Sequence, residues 1–239
     1  MLDPDPATRI VPTHAGAPRL SEGPYTLQIL STEHWSLLAA RSLGYTEAMS
    51  RASMFIAALS GAVVALALVA QATDFGSGFV AFALLLLPVV FFLGIVTIAR
   101  LGQINWEDAV WTQGMNRIRN AYLELAPELG PYFVTSRYDD DPGVLQSMLA
   151  TSGPMSRMQP FIAIPGVVAV LDSVVAAAAV GIAAQSVDLG IGVSLAVGGI
   201  VFLLTVVLIG MWAWRSITTL RGQLVVRFPT PPDDGRTDA

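Results

Sequence analysis

The chain contains no cysteine and no lysine. Without cysteine it can form neither disulfide bonds nor thiolate nucleophiles. Without lysine, its thirteen basic residues are all arginine, and eighteen acidic residues bring the net charge to −5. Charge is also scarce, because 13% of the 239 residues are charged, against about a quarter in a typical soluble domain. This composition excludes an ordinary soluble globular domain.

Hydrophobic residues make up 54% of the chain and are concentrated in four long runs. Each run is close to the ~20 residues that an α-helix needs to cross about 30 Å of hydrocarbon. The sequence therefore predicts an all-α protein with four transmembrane helices. Their approximate bounds are 53–72, 79–99, 165–185 and 191–212.

The arginines lie on one side of these runs. Some precede the first run, some separate the second from the third, some follow the fourth, and the connections 72–78 and 186–190 contain none. Arginine close to a span resists translocation, so we expect two hairpins with both termini in the cytoplasm. We therefore expect a multi-pass protein of a bacterial plasma membrane, in contact with the lipid bilayer. No polybasic cluster follows a span, so we expect no nucleic acid partner.

The rest of the chain divides by composition. Prolines and scattered charge before the first run predict disorder, whereas apolar residues at helical spacing predict amphipathic helices on the cytoplasmic side. The predicted segments are a disordered part at 1–30, an amphipathic helix at 31–52, a first hairpin at 53–99, a cytoplasmic helical region at 100–160, a second hairpin at 161–214, and a helix end and tail at 215–239.

The amphipathic helix before the first run is predicted to begin at Ser31 or Thr32, whose hydroxyl can cap it. Gly44 is a candidate bend. Aromatic side chains at Tyr45, and later at Trp111 and Tyr122, are expected in packing contacts on the cytoplasmic side. One largely apolar face, expected to pack or to lie at the membrane surface, comprises Trp35, Leu38, Ser42, Tyr45 and Met49.

The starts and ends of the later helices are also predicted from residues near each end. The second helix is predicted to continue past Arg100 until Pro127, Gly130 and Pro131 end it. A short helix is then predicted from the acidic run 139–141 to Ala150, with the acids as a solvated cap. The last helix is predicted to reach toward Phe228, leaving a loose tail from Pro229.

Small residues at helical spacing predict where the membrane helices touch, because they let two backbones approach closely. At the last span, Trp212 and Trp214 are expected at the headgroup level, with Arg215 just inside the cytoplasm. The predicted packing residues are Gly61, Gly166, Ala169, Ala177, Gly181, Ser194 and Gly198.

Asp172 is the one ionisable residue inside a predicted span, and Ser173 follows it. A charged carboxylate at that depth costs at least ~2.5 kcal/mol. It therefore needs water, a proton or a polar partner. Two interpretations remain open: an ion- or proton-interacting site on a polar path, or a structural hydrogen bond or arginine pair between helices.

Signatures of catalysis are scarce. His14 and His34 lie outside the spans, and an intramembrane aspartyl site would need a second acid beside Asp172. The acidic run 139–141 lacks the spacing of a calcium loop. We therefore expect no enzyme activity, no cofactor and no metal site.

Three stretches carry a resemblance to a known kind of protein. They are Glu33-His34-Trp35 with the residues at 39–43, the pair Leu87-Pro88, and the residues at 138–145. Over about 30–228 the chain resembles an uncharacterised family of four-span membrane proteins from high-GC, actinobacteria-like genomes. The architecture is also similar to that of bestrophin-type anion channels, although their neck motif is absent. The resemblance implies the four-span fold and assigns no active site.

These features favour a homo-oligomeric channel or pore-like protein with Asp172 and Ser173 beside the polar path. Four spans rarely enclose a conduit, so several copies would be needed. The alternative is a non-catalytic accessory or scaffold subunit of a larger membrane complex, in which Asp172 pairs with a partner helix.

Overall fold

The structure is a computed structural model that describes residues 23–152, 163–187, 189–221 and 225–232. The predicted segments 1–30, 100–160, 161–214 and 215–239 therefore lie partly outside the described residues. All regular elements within the described ranges are helical, as predicted. They are α1 (Pro24–Thr73), α2 (Ser77–Leu125), a short 3₁₀ helix (Pro127–Tyr132), α3 (Asp141–Ser152), α4 (Ile164–Ser186) and α5 (Ile191–Arg221).

Helices α1, α2, α4 and α5 are long and apolar enough to cross a membrane. The chain is thus compatible with a multi-pass membrane protein. Helices α1 and α2 have 50 and 49 residues, far more than the ~20 that a bilayer requires. The predicted continuation of α2 past Arg100 is confirmed, and the helix ends just before Pro127 as expected.

Helix α1 begins at Pro24, earlier than predicted. Proline suits the first turn of a helix, because its missing N–H has no partner there anyway. Thr32 does not cap the helix, since its hydroxyl donates to the Gln28 carbonyl one turn back, at 2.8 Å. The helix also continues through Gly44 without interruption. The predicted start was therefore wrong, and the helix is not broken at Gly44, the candidate bend.

The last helix was also predicted to be longer than it is. Helix α5 ends at Arg221, and Phe228 lies in a non-helical segment at 225–232. That segment is held by hydrogen bonds to Asp139 and Asp140.

The chain divides into two compact units. Within the described residues, the apolar unit comprises 45–104 and 163–216, and the polar unit comprises 23–44, 105–152 and 217–232.

In the apolar unit, buried residues recur at steps of three and four along each helix. This spacing aligns one face of a helix with its neighbours and leaves the opposite face to the surroundings. On α2 the buried face reaches the glycine at position 94. The buried apolar cluster comprises Ala48, Ala52, Phe55, Ala62, Ala83, Leu87, Val90, Ile98, Leu101, Ile104, Val168 and Val175.

Small residues bring α4 and α5 together, as predicted. A Cβ atom added to Gly198 would lie 3.2 Å from the Ala177 carbonyl oxygen, and one added to Gly181 would lie 3.7 Å from that of Ser194. Ala169 packs against the apolar cluster. Four of the predicted packing residues, two on each helix, therefore lie where the backbones of α4 and α5 come close together.

The prediction for α1 does not hold within one chain. Gly61 is exposed, and a Cβ atom there would meet nothing within 4 Å. The buried face of α1 passes instead through the next residue, Ala62. Gly166 on α4 is half-buried. Gly61 thus faces away from the other described helices, whereas Ala62 beside it lies in the buried cluster.

In the polar unit, α1 contacts α2 through a face other than the apolar one, which was expected to pack or to lie at the membrane surface. Arg41 donates to Asp108 of α2 at 2.6 Å, and the Leu37 side chain lies beside Gly114. The exposed fractions on the predicted face include 67% at Trp35 and 65% at Tyr45. The ion pair and the glycine contact set the rotation of α1, and the periodicity of its apolar residues does not reveal them.

Glu47 links α1 to α2 at one end of the apolar unit. Its carboxylate accepts from Arg51 at 2.7 Å and from Arg100 at 2.9 Å. These two hydrogen bonds lower the pKa of Glu47 from its usual 4.5 to about 2, and the bond from Arg100 makes the larger contribution. The carboxylate is therefore held in its charged form.

We expect replacement of Gly198 by leucine to destabilise the protein by about 1–3 kcal/mol, because the larger side chain must displace the backbone of α4. Gly199 is the matched control, since a Cβ atom there meets nothing within 4 Å. Chemical unfolding in detergent micelles measures both variants. Equal losses for Gly198→Leu and Gly199→Leu would show that the α4–α5 contact is unimportant.

The low pKa of Glu47 predicts a pH dependence. The folded carboxylate binds its proton more weakly than the unfolded one, so its stabilisation is present above pH 4.5 and lost as the pH falls toward about 2. Glu47→Gln should therefore flatten the fall of unfolding free energy across this window, and Arg100→Gln should flatten it in part. Unfolding titrations at stepped pH give the slopes, and coincident slopes for wild type and Glu47→Gln would contradict the assignment.

Candidate functional site

Asp172 lies in the interior of the apolar unit, on α4. It is the one charged residue of the 23 in this helix, and its side chain and that of Ser173 are 0% exposed. Neighbouring positions on the same buried face, Val168 and Val175, are apolar. The carboxyl group is thus enclosed in an otherwise hydrophobic interface.

The backbone of α2 passes directly against this carboxyl group at Gly94. A Cβ atom added to Gly94 would lie 2.8 Å from Asp172 Oδ2 and closer still to Oδ1 and Cγ. Even an alanine at this position would therefore collide with the carboxyl group. Sequence reasoning missed Gly94, although a lone glycine among the bulky side chains of 91–96 is a signal of close helix approach.

Neither carboxylate oxygen of Asp172 has a hydrogen-bond partner among the described residues. The interhelical hydrogen bond and the arginine pair that the sequence left open are both missing from this part of the chain. Nearby hydroxyls serve their own helices: Ser173 donates to the Ala169 carbonyl at 2.7 Å and Thr97 to the Leu93 carbonyl at 2.8 Å. These bonds use the hydroxyl hydrogens within the helices, so neither hydroxyl donates to the carboxylate.

An unpartnered carboxyl group has few chemical options at this depth. A bare charge is costly inside hydrocarbon, so the group must hold a proton or meet a cation or water in another conformation. Among the described residues no three histidine, aspartate or glutamate side chains converge as a metal site. Asp172 is thus a buried ionisable group whose carboxyl oxygens bond no described residue.

The predicted interface anchors are exposed. Trp212 and Trp214 are 49% and 72% exposed near the end of α5, and Arg215 is also exposed. This exposure is what contact with lipid headgroups requires. Exposure of these three residues gives them no part in the site around Asp172.

A second buried aspartate lies in the polar unit, and it corrects the prediction of a solvated cap. Asp139 is 0% exposed. Its carboxylate accepts from Arg117 Nε at 2.7 Å, from the Phe228 amide at 2.6 Å and from the Arg227 amide at 3.0 Å. Sequence reasoning missed this because the two amides lie almost ninety residues farther along the chain.

Asp140, by contrast, caps a helix as the sequence predicts. Its Oδ1 accepts from the Gly143 amide in the first turn of α3 at 3.0 Å. It also binds Thr230, accepting from the amide at 2.6 Å and from the hydroxyl at 2.8 Å. Asp139 and Asp140 together therefore hold the segment 225–232, which we call the C-terminal segment.

Polar side chains of α2 complete this arrangement. Gln113 donates to the Asp139 carbonyl at 2.7 Å, and Asn116 donates to that of Tyr138 at 2.7 Å. Ser147 of α3 donates to Asn116 at 2.9 Å. Gln113 and Asn116 are buried, and their amide groups fix the loop that presents the two aspartates.

His34 lies beside Tyr122, with ring centroids 6.3 Å apart. Burial, and secondarily the charge of Arg119, lower the pKa of His34. The imidazole is therefore kept in its neutral form, and it contributes to packing between α1 and α2 within the polar unit.

No family model matches the chain, and neither a curated protein nor a solved structure is significantly similar to it.

The collision geometry at Gly94 predicts a double-mutant cycle. Gly94→Ala should destabilise the protein by about 1–3 kcal/mol, and Asp172→Ala should largely rescue it, because alanine lacks all three atoms that the new methyl group would strike. Gly102→Ala is the control on the same helix, where a Cβ atom meets nothing within 4 Å. Unfolding free energies of the four combinations give the coupling energy. Simple additivity would refute the contact.

Proposed function

We propose that the chain forms a homo-oligomeric channel or pore-like membrane protein, in which Asp172 interacts with the permeating ion. One observation carries this proposal: a fully buried carboxyl group on an apolar helix with no hydrogen-bond partner among the described residues. A purely structural polar residue inside a helix bundle is expected to bond across the helices. Asp172 has no such bond to a described residue, so its carboxyl group is not committed to a structural contact there.

The proton is the permeant species that fits this site best. Metal cations such as Ca²⁺ and Mg²⁺ require about six or more oxygen ligands, whereas Asp172 supplies two, and no group of three acidic or histidine side chains converges among the described residues. The close approach of Gly94 leaves no space for a hydrated ion on that side. A proton needs neither a ligand shell nor a cavity.

Several copies are part of the proposal because four helices rarely enclose a conduit. Helix α5 has ample apolar surface for contact with lipid or with another copy. Its exposed large side chains are Ile191, Val193, Leu195, Ile200, Leu203, Leu204, Val207, Leu208, Met211, Trp212 and Trp214.

The direct test is proton flux into liposomes that contain the purified protein, driven by a potassium diffusion potential. Wild type should acidify the vesicles, and Asp172→Asn should remove most of the flux, because an amide of the same shape cannot exchange a proton. Ser173→Ala is the matched control, since it alters a neighbouring buried residue whose hydroxyl bonds only its own helix. Particle mass in lipid nanodiscs reports the number of copies.

Two results would overturn the channel proposal. Undiminished flux through Asp172→Asn would remove Asp172 from the path. Impermeable vesicles with a folded protein that is monomeric by mass would exclude a pore altogether.

The second candidate is a non-catalytic accessory or scaffold subunit. The exposed Gly61 favours it, because an open small-residue face on α1 can receive a helix of another protein. This candidate predicts a membrane protein that co-purifies with the wild type and is lost with Gly61→Leu. Intact co-purification with that variant would argue against docking at this face.

A further inference from the structure

The C-terminal segment is bound mainly through its backbone. Amides of Arg227 and Phe228 donate to Asp139, and the amide of Thr230 donates to Asp140. The Val225 carbonyl accepts from Arg117 and, at 3.4 Å, from Gln113. Two adjacent carboxylates and two side chains of α2 thus recognise an extended stretch of chain.

Departure of the C-terminal segment would remove hydrogen bonds from a buried carboxylate. Asp139 is 0% exposed, and the C-terminal segment supplies the backbone amides that donate to its carboxylate. When the segment leaves, Arg117 is the donor that remains among the described residues. A buried carboxylate that loses its donors is destabilised, because it gives up hydrogen bonds without regaining those of water. The segment is therefore held firmly, but by a small number of polar contacts that an added charge can oppose.

Thr230 is the accessible point of this attachment. The residue is exposed, yet its hydroxyl and its amide both bind Asp140. Pro229 and Pro231 on either side disfavour helix and keep the backbone extended. An exposed hydroxyl on a non-helical stretch is open to a modifying enzyme.

We propose that Thr230 is a phosphorylation site and that its phosphorylation releases the C-terminal segment. In the reaction, Thr230 Oγ1 attacks the γ-phosphorus of a nucleoside triphosphate bound to a protein kinase. The new O–P bond forms as the bond from the γ-phosphorus to its bridging oxygen breaks. The hydroxyl proton passes to a base of the kinase, and a nucleoside diphosphate leaves.

The product is incompatible with the attachment for two reasons. The phosphorylated oxygen no longer carries a hydrogen to donate to Asp140. The phosphate also adds a charge of about −1.5 to −2 within hydrogen-bond distance of the Asp140 carboxylate, beside a second acid, Asp141. Like charges at this separation repel, so the segment leaves Asp140 and withdraws its amides from Asp139.

A tryptic cut provides the test, because the peptide bond between Arg227 and Phe228 is a trypsin site whose amide is bound to Asp139. Full-length protein with phosphothreonine incorporated at position 230 is compared with unmodified protein in nanodiscs. The modified protein should be cut after Arg227 about tenfold faster or more, since cleavage follows the population of the released segment. Intact mass identifies the product that ends at Arg227.

Matched variants calibrate this measurement. Asp139→Asn should also accelerate the cut, because it weakens acceptance of the two amides. Phosphothreonine at position 237 adds the same charge elsewhere in the tail and should leave the rate unchanged. Equal rates for protein modified at 230 and unmodified protein, with Asp139→Asn cut faster, would overturn the proposal, as would equal acceleration by phosphate at 237.

Occupancy in cells forms the second arm of the test. Protein isolated from its native membranes is digested, and the peptide 228–236 is examined by mass spectrometry. A phosphorylated fraction at Thr230 supports the proposal, and an unmodified peptide across growth phases overturns it. Neither arm depends on whether the protein conducts protons.

Discussion

The contact of the Asp172 carboxyl group with the backbone of α2 at Gly94 constrains how closely α2 and α4 approach in the apolar unit. No side chain separates the two helices at this point, because the position of a Cβ atom on Gly94 is already taken by the carboxyl group. The apolar side chains on the same faces of α2 and α4, including Val90 and Val168, pack on either side of this close contact between Gly94 and Asp172. Their arrangement therefore depends on which residues occupy positions 94 and 172.

The chain buries two aspartates completely and treats them in opposite ways. Asp139 has an arginine and two backbone amides as donors, so its charge is compensated in place. Asp172 has no donor among the described residues. A compensated carboxylate holds structure together, as Asp139 holds the C-terminal segment, whereas an uncompensated one is a group whose state depends on what reaches it. This contrast is the physical reason for assigning attachment to Asp139 and for proposing ion exchange at Asp172.

Local signals in the sequence account for much of the fold. Apolar runs of span length give the four long helices, and Pro127 ends α2 because proline cannot continue a helix. The packing of Gly198 and Gly181 follows from small residues at helical spacing. The start of α1 was misplaced because a hydroxyl at Thr32 resembles a cap, while in the helix it bonds the carbonyl one turn back.

What sequence reasoning could not supply are contacts between distant residues. Asp139 receives the amide of Arg227 across 88 positions, and a backbone amide leaves no mark in an amino-acid sequence. The rotation of α1 in the polar unit rests on the pair of Arg41 with Asp108, 67 positions apart. Periodicity instead favoured the face of Trp35, which is exposed.

Asp172 was identified from the sequence because a lone acid in an apolar run is conspicuous, but its environment was not. The decisive neighbour is a residue without a side chain. Since Gly94 offers the carboxyl group no donor and no room, a change of protonation there requires α2 and α4 to separate locally or the carboxyl group to turn. A glycine is the residue that makes such a movement small, because only backbone has to clear the acid. The contact between Gly94 and Asp172 encloses the carboxyl group in this conformation. It is therefore also the contact that the proposed proton exchange at Asp172 has to separate.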